Sequence, residues 1–344
     1  MSTTPRIDPV DQRLETGLQD VWHAVCPSGF IKERPVSLRR FGYRLALWRG
    51  ADGQVHALED RCPHRGAPLS QGVTMGDRLS CPYHGVEVRC DGVVTSVPGS
   101  PGCKLEGQKA TRSFHVREVA GAVFLYNASE PVDEPPPLVL PEQLTDAQAY
   151  SSFLCYTEWK CDYRYALDNV MDPMHGTFLH KQSHSMAEGD STAKFSVRPT
   201  DTGFVFEKEG QRNVNFDWTE FGDTGIHWMR LEIPYPKTGG PGGNFIIVGM
   251  CTPISAQLSA VFFWRVRKLA PGWQRDTWRF LYRNRLEARH WHVLEQDRVV
   301  LEQMPQDANQ HENLYQHDLG IVRLRRYLRG LAQQQVDKQD AASA

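Results

Sequence analysis

The sequence contains two short segments of the same design, Cys62-Pro63-His64-Arg65-Gly66 and Cys81-Pro82-Tyr83-His84-Gly85. Each segment pairs one cysteine with one histidine, and each ends on a glycine that suits a tight turn. Together they offer two thiolates and two imidazoles, which are ligands for a transition metal. We therefore expect the two segments to form mirrored loops around one metal group.

Two kinds of metal group use this ligand set. A structural zinc site typically shows a cysteine pair followed by a histidine pair, whereas cysteine and histidine alternate within each segment here. A Rieske [2Fe-2S] cluster has two cysteines on one iron and two histidines on the other, which raises its reduction potential. The alternation favours the Rieske cluster, with Cys62 and Cys81 on one iron and His64 and His84 on the other. Because such a cluster carries electrons, we expect a second site that receives them.

Composition limits the class of protein. The chain has 344 residues, of which 40% are hydrophobic and 23% are charged, and its formal net charge is -2. These values predict an ordinary globular protein of two domains or one large one, with no nucleic acid or anionic membrane as a partner. Because there is neither a signal-peptide pattern nor a long apolar run, we expect the chain to stay in the cytoplasm. The remaining cysteines are expected to be buried or free thiols.

The fold class predicted from the pattern is α+β. Short apolar stretches broken by turn residues predict a small all-β domain that holds both Cys-His segments. Alternation from Ser191 to Val266 predicts a larger antiparallel sheet, and helical signals flank it near 163–180 and 274–304. The predicted divisions are an N-terminal extension (1–20), the small β domain (21–130), a Pro-rich linker (131–150), a second domain (151–335) and a flexible tail that frays (336–344).

The first helical segment contains two candidate metal ligands, His175 and His180. With a carboxylate from elsewhere, they would form the facial triad of a non-haem Fe(II) site. On an ideal helix their side chains would point roughly 140° apart. We therefore expect a break near Pro173 or Gly176 that lets them converge. His184 is a rival ligand from the same segment.

The predicted third ligand is Asp297, from the second helical segment. It lies on an apolar stripe at helical spacing, whereas Glu295 and Glu302 lie off it. A carboxylate on a buried face is unfavourable unless it is paired or bound to a metal. An aspartate held by an arginine or a backbone N–H is the alternative, and the histidine pair favours the metal. The stripe is formed by Val293, Leu294, Val300, Leu301 and Met304.

Taken together, these segments resemble the oxygenase (alpha) components of Rieske non-haem iron aromatic-ring hydroxylases, in particular their homotrimeric monooxygenase and demethylase branch. The resemblance rests on the two Cys-His segments, on Asn169-x-x-Asp172-x-x-His175-x4-His180 and on Glu295-Gln296-Asp297. It implies a Rieske domain followed by a helix-grip catalytic domain with a curved antiparallel sheet. The sequence departs from the family pattern at Val86, where many members have Trp. This difference is expected to affect local packing or the docking of a partner protein.

The resemblance also implies roles for individual residues. His175, His180 and Asp297 would bind one mononuclear Fe(II), and Asn169 would lie near it. Asp172 would bridge a catalytic histidine to a cluster histidine of the neighbouring subunit in a trimer. From the residues alone, Asp172 also suits a helix N-cap before Pro173.

The implied reaction is the reductive activation of O2 with electrons from NAD(P)H. Because no Gly-x-Gly-x-x-Gly motif opens a βαβ unit, the electrons are expected from a separate reductase, with or without a ferredoxin. We expect hydroxylation or demethylation of a small aromatic or heteroaromatic compound, and cis-dihydroxylation is the alternative. A non-catalytic Rieske electron carrier and a helix-grip ligand-binding protein are alternatives from other classes.

The sequence does not assign the substrate pocket. Arg212, Arg230 and Lys237 are expected at solvated positions. Large apolar side chains are concentrated between 205 and 265, and each is expected in the core rather than in a pocket. They are Phe216, Trp218, Phe221, Trp228, Met229, Phe245 and Phe262.

Overall fold

The computed structural model describes residues 8–181, 192–210, 218–235 and 243–343. These residues form two compact units. The smaller unit contains Gln19–Leu138, and the larger unit combines the segment before it with the chain from Val139 onward. Within the described residues, no helix combines the length and the apolar character needed to cross a membrane.

The smaller unit is built from short antiparallel strands, as its turn-rich sequence predicts. They form one three-stranded sheet in the order β1-β11-β10 and two four-stranded sheets in the orders β2-β3-β4-β9 and β5-β6-β7-β8. The strands are β1 (Trp22–Pro27), β2 (Val36–Arg40), β3 (Tyr43–Arg49), β4 (Val55–Glu59), β5 (Val73–Met75), β6 (Arg78–Ser80), β7 (Glu87–Arg89), β8 (Val94–Ser96), β9 (Ser113–Phe114), β10 (Val116–Val119) and β11 (Ala122–Tyr126).

Strand β3 connects two hydrophobic cores in this unit. Successive side chains of a strand point to opposite faces, and here both faces are buried. Leu45 and Leu47 pack into one core, and Ala46 and Trp48 pack into the other. Because the second core also contains Cys62 and Cys81, the packing of β3 supports both Cys-His loops.

The larger unit contains a seven-stranded antiparallel sheet in the order β12-β18-β17-β16-β15-β14-β13. Its last six strands follow one another as a meander, and β12 pairs with β18 at one edge. This is the larger sheet predicted from alternation. The strands are β12 (Tyr150–Trp159), β13 (Phe195–Thr200), β14 (Gly203–Lys208), β15 (Trp218–Asp223), β16 (His227–Tyr235), β17 (Gly243–Ser255) and β18 (Leu258–Lys268).

Helices of the larger unit pack against this sheet and against one another. Helix α3 contacts β15, β17 and β18, and it also contacts α6 and α8. A π-helical turn, Tyr282–Leu286, joins α5 to α6. The helices are α1 (Pro9–Thr16), α2 (Glu142–Thr145), α3 (Tyr163–Met171), α4 (His175–Leu179), α5 (Trp273–Leu281), α6 (Glu287–Leu301), α7 (Ala308–His311) and α8 (Leu319–Ser343).

The structure differs from the predicted organisation at both ends of the chain. Helix α8 continues to Ser343, although a frayed tail was expected from Val336. Helix α1, expected in a separate extension, packs along α8 in the larger unit. Arg13 donates a hydrogen bond to the Gln339 side chain over 2.8 Å, and Arg329 forms an ion pair with Asp11 over 3.0 Å. These contacts between the two ends stabilise helical turns that composition alone does not predict.

Two glycines of α8 provide a matched test of its packing. A Cβ at Gly320 would lie 2.6 Å from Cγ of Phe206 and 3.1 Å from Cγ of Met171, whereas a Cβ at Gly330 would meet nothing within 4 Å. We expect Gly320→Ala to lower the free energy of unfolding by about 1–3 kcal/mol through overpacking. Gly330→Ala should raise it by about 0.5–1 kcal/mol through helix propensity. Urea unfolding followed by circular dichroism measures both, and equal shifts would contradict the close packing at Gly320.

Candidate metal centres

The two Cys-His loops have the same backbone geometry. In the first, the N–H of Cys62 donates to the carbonyl of Ala67 over 2.8 Å, and the N–H of Gly66 donates back to Cys62 over 2.8 Å. In the second, Cys81 and Val86 form the same bond over 2.8 Å, and Gly85 donates to Cys81 over 3.0 Å. Gly66 and Gly85 have φ values of +78° and +69°, which favour glycine. The repeated sequence therefore folds into a repeated loop.

The four candidate cluster ligands divide by exposure. Cys62 and Cys81 are 2% and 4% exposed, whereas His64 and His84 are exposed, with ring centroids 4.7 Å apart. Burial raises the pKa of the Cys62 thiol to about 11, although backbone N–H groups of His64 and Arg65 donate to the sulfur and oppose the shift. A metal ion favours the thiolate by displacing this proton. Two buried sulfurs beneath two exposed imidazoles are a donor set that fits a Rieske cluster.

Val86 belongs to the packing of the second loop. Its side chain is fully buried in the core that contains both cysteines, and its carbonyl accepts the N–H of Cys81. The residue that departs from the family pattern thus contributes to local packing.

The first helical segment breaks where the proline predicts. Helix α3 ends at Met171 and α4 begins at His175. Asp172, directly before Pro173, has φ −88° and ψ 111°, the extended conformation that a following proline favours. His180 follows the last residue of α4 with φ −105° and ψ 36°, so it has left helical geometry. The two imidazole rings lie 5.2 Å apart between centroids, closer than a regular helix would allow.

Asp297 meets both histidines from helix α6. One carboxylate oxygen, Oδ1, lies 3.6 Å from Nε2 of His175 and 3.1 Å from Nε2 of His180. Within the described part of the chain, these three residues form a group whose ligand atoms all lie within 4.8 Å of one another. Asp297 and His180 are buried, at 5% and 2% exposure. Two imidazoles and one carboxylate match the donor set of a facial triad.

The apolar stripe of α6 is narrower than predicted. Leu294, Asp297 and Leu301 are buried, but Val300 and Met304 are 47% and 38% exposed. Placing Val300 and Met304 on the inward stripe was wrong, because the buried face of α6 passes through Leu294, Asp297 and Leu301 and turns away from Val300. The rival ligand His184 lies outside the described residues.

Each histidine is oriented through its Nδ1 atom. His175 Nδ1 lies 2.6 Å from the carbonyl oxygen of Asp172, and His180 Nδ1 lies 3.1 Å from Oε1 of Gln296. When Nδ1 carries the hydrogen and donates it, the Nε2 lone pair of each ring is left for a metal. Gln296 is held in turn by its own bond to the carbonyl of Leu179 over 3.1 Å. Sequence reasoning missed this role of Gln296, and its only signal was its place next to Asp297.

Asn169 and Asp172 also contact the group. Asn169 donates from Nδ2 to Oδ1 of Asp297 over 3.2 Å. The Asp172 carboxylate accepts the backbone N–H groups of Met174 and His175 over 2.7 and 3.2 Å, so it holds the turn that leads into α4. Burial opposes a charged His175 ring, but the nearby carboxylates of Asp172 and Asp297 outweigh burial and raise its pKa. This negative potential favours a cation among the three residues.

A cavity of about 680 Å³, including its opening, reaches this group. One wall is a single face of the sheet, because the lining residues of each strand are two apart. The other wall comes from α3 and α6. The sheet contributes Leu231, Ile233, Phe245, Ile247, Phe263 and Arg265, and the helices contribute Asn169, Val170, His290, Val293 and Leu294.

The cavity tests the expectations for aromatic and basic residues. Of the large apolar side chains named from sequence and described by the structure, only Phe245 lines it. Arg230 pairs with Glu220 over 2.7 Å instead. Phe216, Arg212 and Lys237 lie outside the described residues. Sequence reasoning missed Phe263, Arg265 and His290, although alternation along β18 could have placed Phe263 and Arg265 on one face.

Two family models match the chain. The Rieske [2Fe-2S] domain matches residues 21–114, which defines the class of the smaller unit. The vanillate O-demethylase oxygenase C-terminal domain matches residues 159–334, about half of the chain. The chain therefore belongs to the vanillate O-demethylase oxygenase family of Rieske proteins. This confirms the predicted resemblance and fold class, and the family's cofactors are a [2Fe-2S] cluster and a mononuclear iron.

Individual proteins agree with this assignment. The oxygenase subunit of vanillate O-demethylase from Pseudomonas sp. (strain HR199 / DSM 7063) is 32% identical over 173 residues, or 50% of this chain and 48% of the relative. The chain spans about half the length of several curated relatives that it matches.

Solved structures share the fold. Dicamba monooxygenase bound to dicamba has a TM-score of 0.73 at 22% identity, covering 94% of this chain and 99% of that one. The oxygenase of carbazole 1,9a-dioxygenase, in complex with ferredoxin, has a TM-score of 0.74 at 20% identity, covering 93% of each chain.

The role of Gln296 can be tested through iron affinity. Gln296→Leu removes the acceptor of the His180 Nδ1 hydrogen, so we expect the affinity for Fe(II) to fall about 10- to 100-fold. Competition with a chelator measures this, and the visible absorbance of the cluster should stay unchanged. Glu295→Gln on the same helix is the control, because this half-exposed side chain pairs with Arg298. Unchanged iron affinity in Gln296→Leu would contradict the orienting role.

Proposed function

We propose that this chain is the oxygenase component of a Rieske monooxygenase that hydroxylates or oxidatively demethylates a small aromatic compound. The observation that carries the proposal is the convergence of His175, His180 and Asp297 at an apolar cavity, in a chain that also carries two Cys-His loops. The same convergence argues against a Rieske electron carrier and a helix-grip ligand-binding protein, since neither needs a facial triad. The description of the C-terminal family favours demethylation over cis-dihydroxylation.

The proposed site residues fall into cluster ligands, iron ligands and residues that position those ligands. Cys62, His64, Cys81 and His84 hold the cluster, while His175, His180 and Asp297 hold the mononuclear Fe(II). When bound, the two groups supply stored electrons and O2 activation. Asn169 and Gln296 fix the Asp297 and His180 side chains through hydrogen bonds. The apolar sheet face excludes water from the space beside the triad.

The proposed partners are a separate NAD(P)H-dependent reductase, with or without a ferredoxin, and two further copies of the chain. His64, His84 and Tyr83 are exposed around the cluster loops, so electrons have an accessible point of entry. In the proposed trimer, Asp172 contacts a cluster histidine of the neighbouring subunit. Its partial exposure, 22% of the side chain, leaves the carboxylate available for this contact.

Product analysis tests the reaction class. With a reductase, NADH and a panel of methoxybenzoates under labelled O2, we expect formaldehyde and a phenol in equal amounts. One O2 should be consumed per phenol, and the phenol oxygen should be unlabelled because it comes from the methoxy group. Asp297→Ala is the control, and it should give neither product while keeping the cluster absorbance. A cis-diol with label in both hydroxyls would contradict monooxygenation.

In the proposed trimer, Asp172 acts as an electron relay between the cluster of one subunit and the mononuclear iron of the next. This relay can be separated from the role of Asp172 in the turn before α4. Asp172→Asn keeps an oxygen acceptor for the N–H of Met174 and removes the charge, whereas the N–H of His175, which the second carboxylate oxygen accepts over 3.2 Å, loses its acceptor. We expect unchanged iron content and a loss of about 1 kcal/mol of stability, with cluster reoxidation by O2 and substrate slowed about tenfold or more. Stopped-flow absorbance of reduced enzyme measures this rate. Asp146→Asn is the control for removing the charge of a carboxylate that accepts backbone N–H groups, here those of Gln148 and Ala149, both through Oδ1. An unchanged rate in Asp172→Asn would rule out the relay.

A further inference from the structure

The sheet wall of the cavity has a glycine at position 249. Along β17, Phe245 and Ile247 line the cavity, and Gly249 is the next residue on the same face. Gly249 pairs with Met229 of β16 and with Phe263 of β18. Both neighbours carry large side chains and are almost fully buried, at 1% and 6% exposure. The middle position of this row therefore contributes no side chain to the face that the cavity uses.

The ring of Phe263 uses the space above Gly249. A Cβ atom at Gly249 would lie 3.3 Å from Cε1 and 3.6 Å from Cδ1 of Phe263. The same Cβ would lie 3.9 Å from Cγ1 of Val170 on helix α3. Phe263 and Val170 both line the cavity, one from the sheet and the other from the helices. The two walls therefore approach each other over the glycine and close the cavity at this end.

Backbone geometry does not account for a glycine at this position. Gly249 does not have a positive φ, and the register of β17 with both neighbouring strands is continuous there. A glycine inside a strand weakens the strand, and it often marks a place where another group approaches the backbone closely. Here the group that approaches is the Phe263 ring. The glycine therefore serves the packing of the cavity wall.

We propose that Gly249 and Phe263 together set the size of the substrate, and that they limit it to a single aromatic ring. This rests on the proposed function only in taking the cavity beside the triad as the substrate site. Because position 249 has no side chain, the Phe263 ring lies low on the sheet and leaves room for one substrate ring. A fused second ring would need the space that Phe263 fills.

A methyl group at position 249 would change this arrangement. Two carbon atoms are best separated by about 3.5–4.0 Å, so a Cβ at 3.3 Å would displace the Phe263 ring. Trp159 lies beside that ring, with centroids 6.5 Å apart, and it is fully buried. The cavity is the open side of the ring. The displaced ring would therefore move into the cavity and make it shorter.

Two probes that differ by one ring test the proposal on the unaltered holoenzyme. The probes are 4-methoxybenzoate and 6-methoxy-2-naphthoate, which carry the same acid and ether groups. Each is titrated calorimetrically without O2 at neutral pH. The single-ring probe should bind about tenfold more tightly than the two-ring probe, because the second ring meets Phe263. If the two-ring probe binds as tightly, or if neither probe binds, the proposal is overturned.

Variants at the two positions should shift this preference in opposite directions. Gly249→Ala should raise the preference for the single-ring probe about tenfold further, whereas Phe263→Leu removes the ring and should lower the preference about tenfold. The double variant should have the preference of Phe263→Leu alone, because the added methyl group then has no ring to displace. A purely structural role would weaken both probes alike and leave their ratio unchanged, which would overturn the proposal.

Phe262→Leu is the matched control for the loss of a buried ring. Phe262 precedes Phe263 on β18 and points to the opposite face of the sheet. It is fully buried there, stacked on Trp264 with centroids 6.0 Å apart, and it does not line the cavity. Phe262→Leu should lower the midpoint of thermal unfolding and leave the ratio of the two probes unchanged. A change of ratio as large as that in Phe263→Leu would overturn the role of Phe263.

Binding and turnover separate the two hypotheses. A size preference that shifts with Gly249 and Phe263, without oxygenated product from either probe, would contradict the proposed reaction and support the size limit. Demethylation of both probes with equal kcat/KM by the unaltered protein would overturn the size limit and support the reaction.

Discussion

A carboxylate buried on the apolar face of α6 determines how the larger unit is arranged around its site. Asp297 lies between Leu294 and Leu301, where the surroundings would favour another aliphatic side chain. A carboxylate is stable there only if cationic or hydrogen-bonding groups reach it. Asn169 does so from α3, His175 from α4 and His180 from the residue after α4. The α3–α4 segment must therefore lie against α6, and the break at Pro173 is what lets both imidazoles reach one oxygen.

In the smaller unit, burial separates the two kinds of candidate ligand. Its two cysteines are part of a hydrophobic core that β3 and Val86 help to build, whereas its two histidines face outward. The core fixes the sulfur positions through packing, and the paired backbone hydrogen bonds fix the loops above it. A protein that receives electrons from a partner benefits from this division. In the proposed cluster, the two cysteine ligands would be held inside by packing, and the two histidine ligands would remain at the surface where a partner protein can approach.

Much of the site was predictable because its signals are local. The Cys-His spacing, the proline between α3 and α4 and the position of Asp297 on a helical stripe can all be read from neighbouring residues. Gln296 and Arg265 were not predictable in the same way. Gln296 acts on His180 across two helices. For Arg265, strand alternation gives two faces but does not say which one the helices cover. The helical end of α8 likewise depends on α1, from the opposite end of the chain.

The cavity's chemistry also bears on selectivity. In an apolar cavity the field of a charge is weakly screened, so Arg265 influences every ligand that enters. A neutral ligand that displaces water from the guanidinium without replacing its hydrogen bonds leaves that charge both desolvated and unpaired. The arginine therefore penalises a ligand that cannot replace those hydrogen bonds. The sheet holds Arg265 in register with Ile247 and Leu231, so the pairing of the strands fixes the position of this charge in the cavity wall.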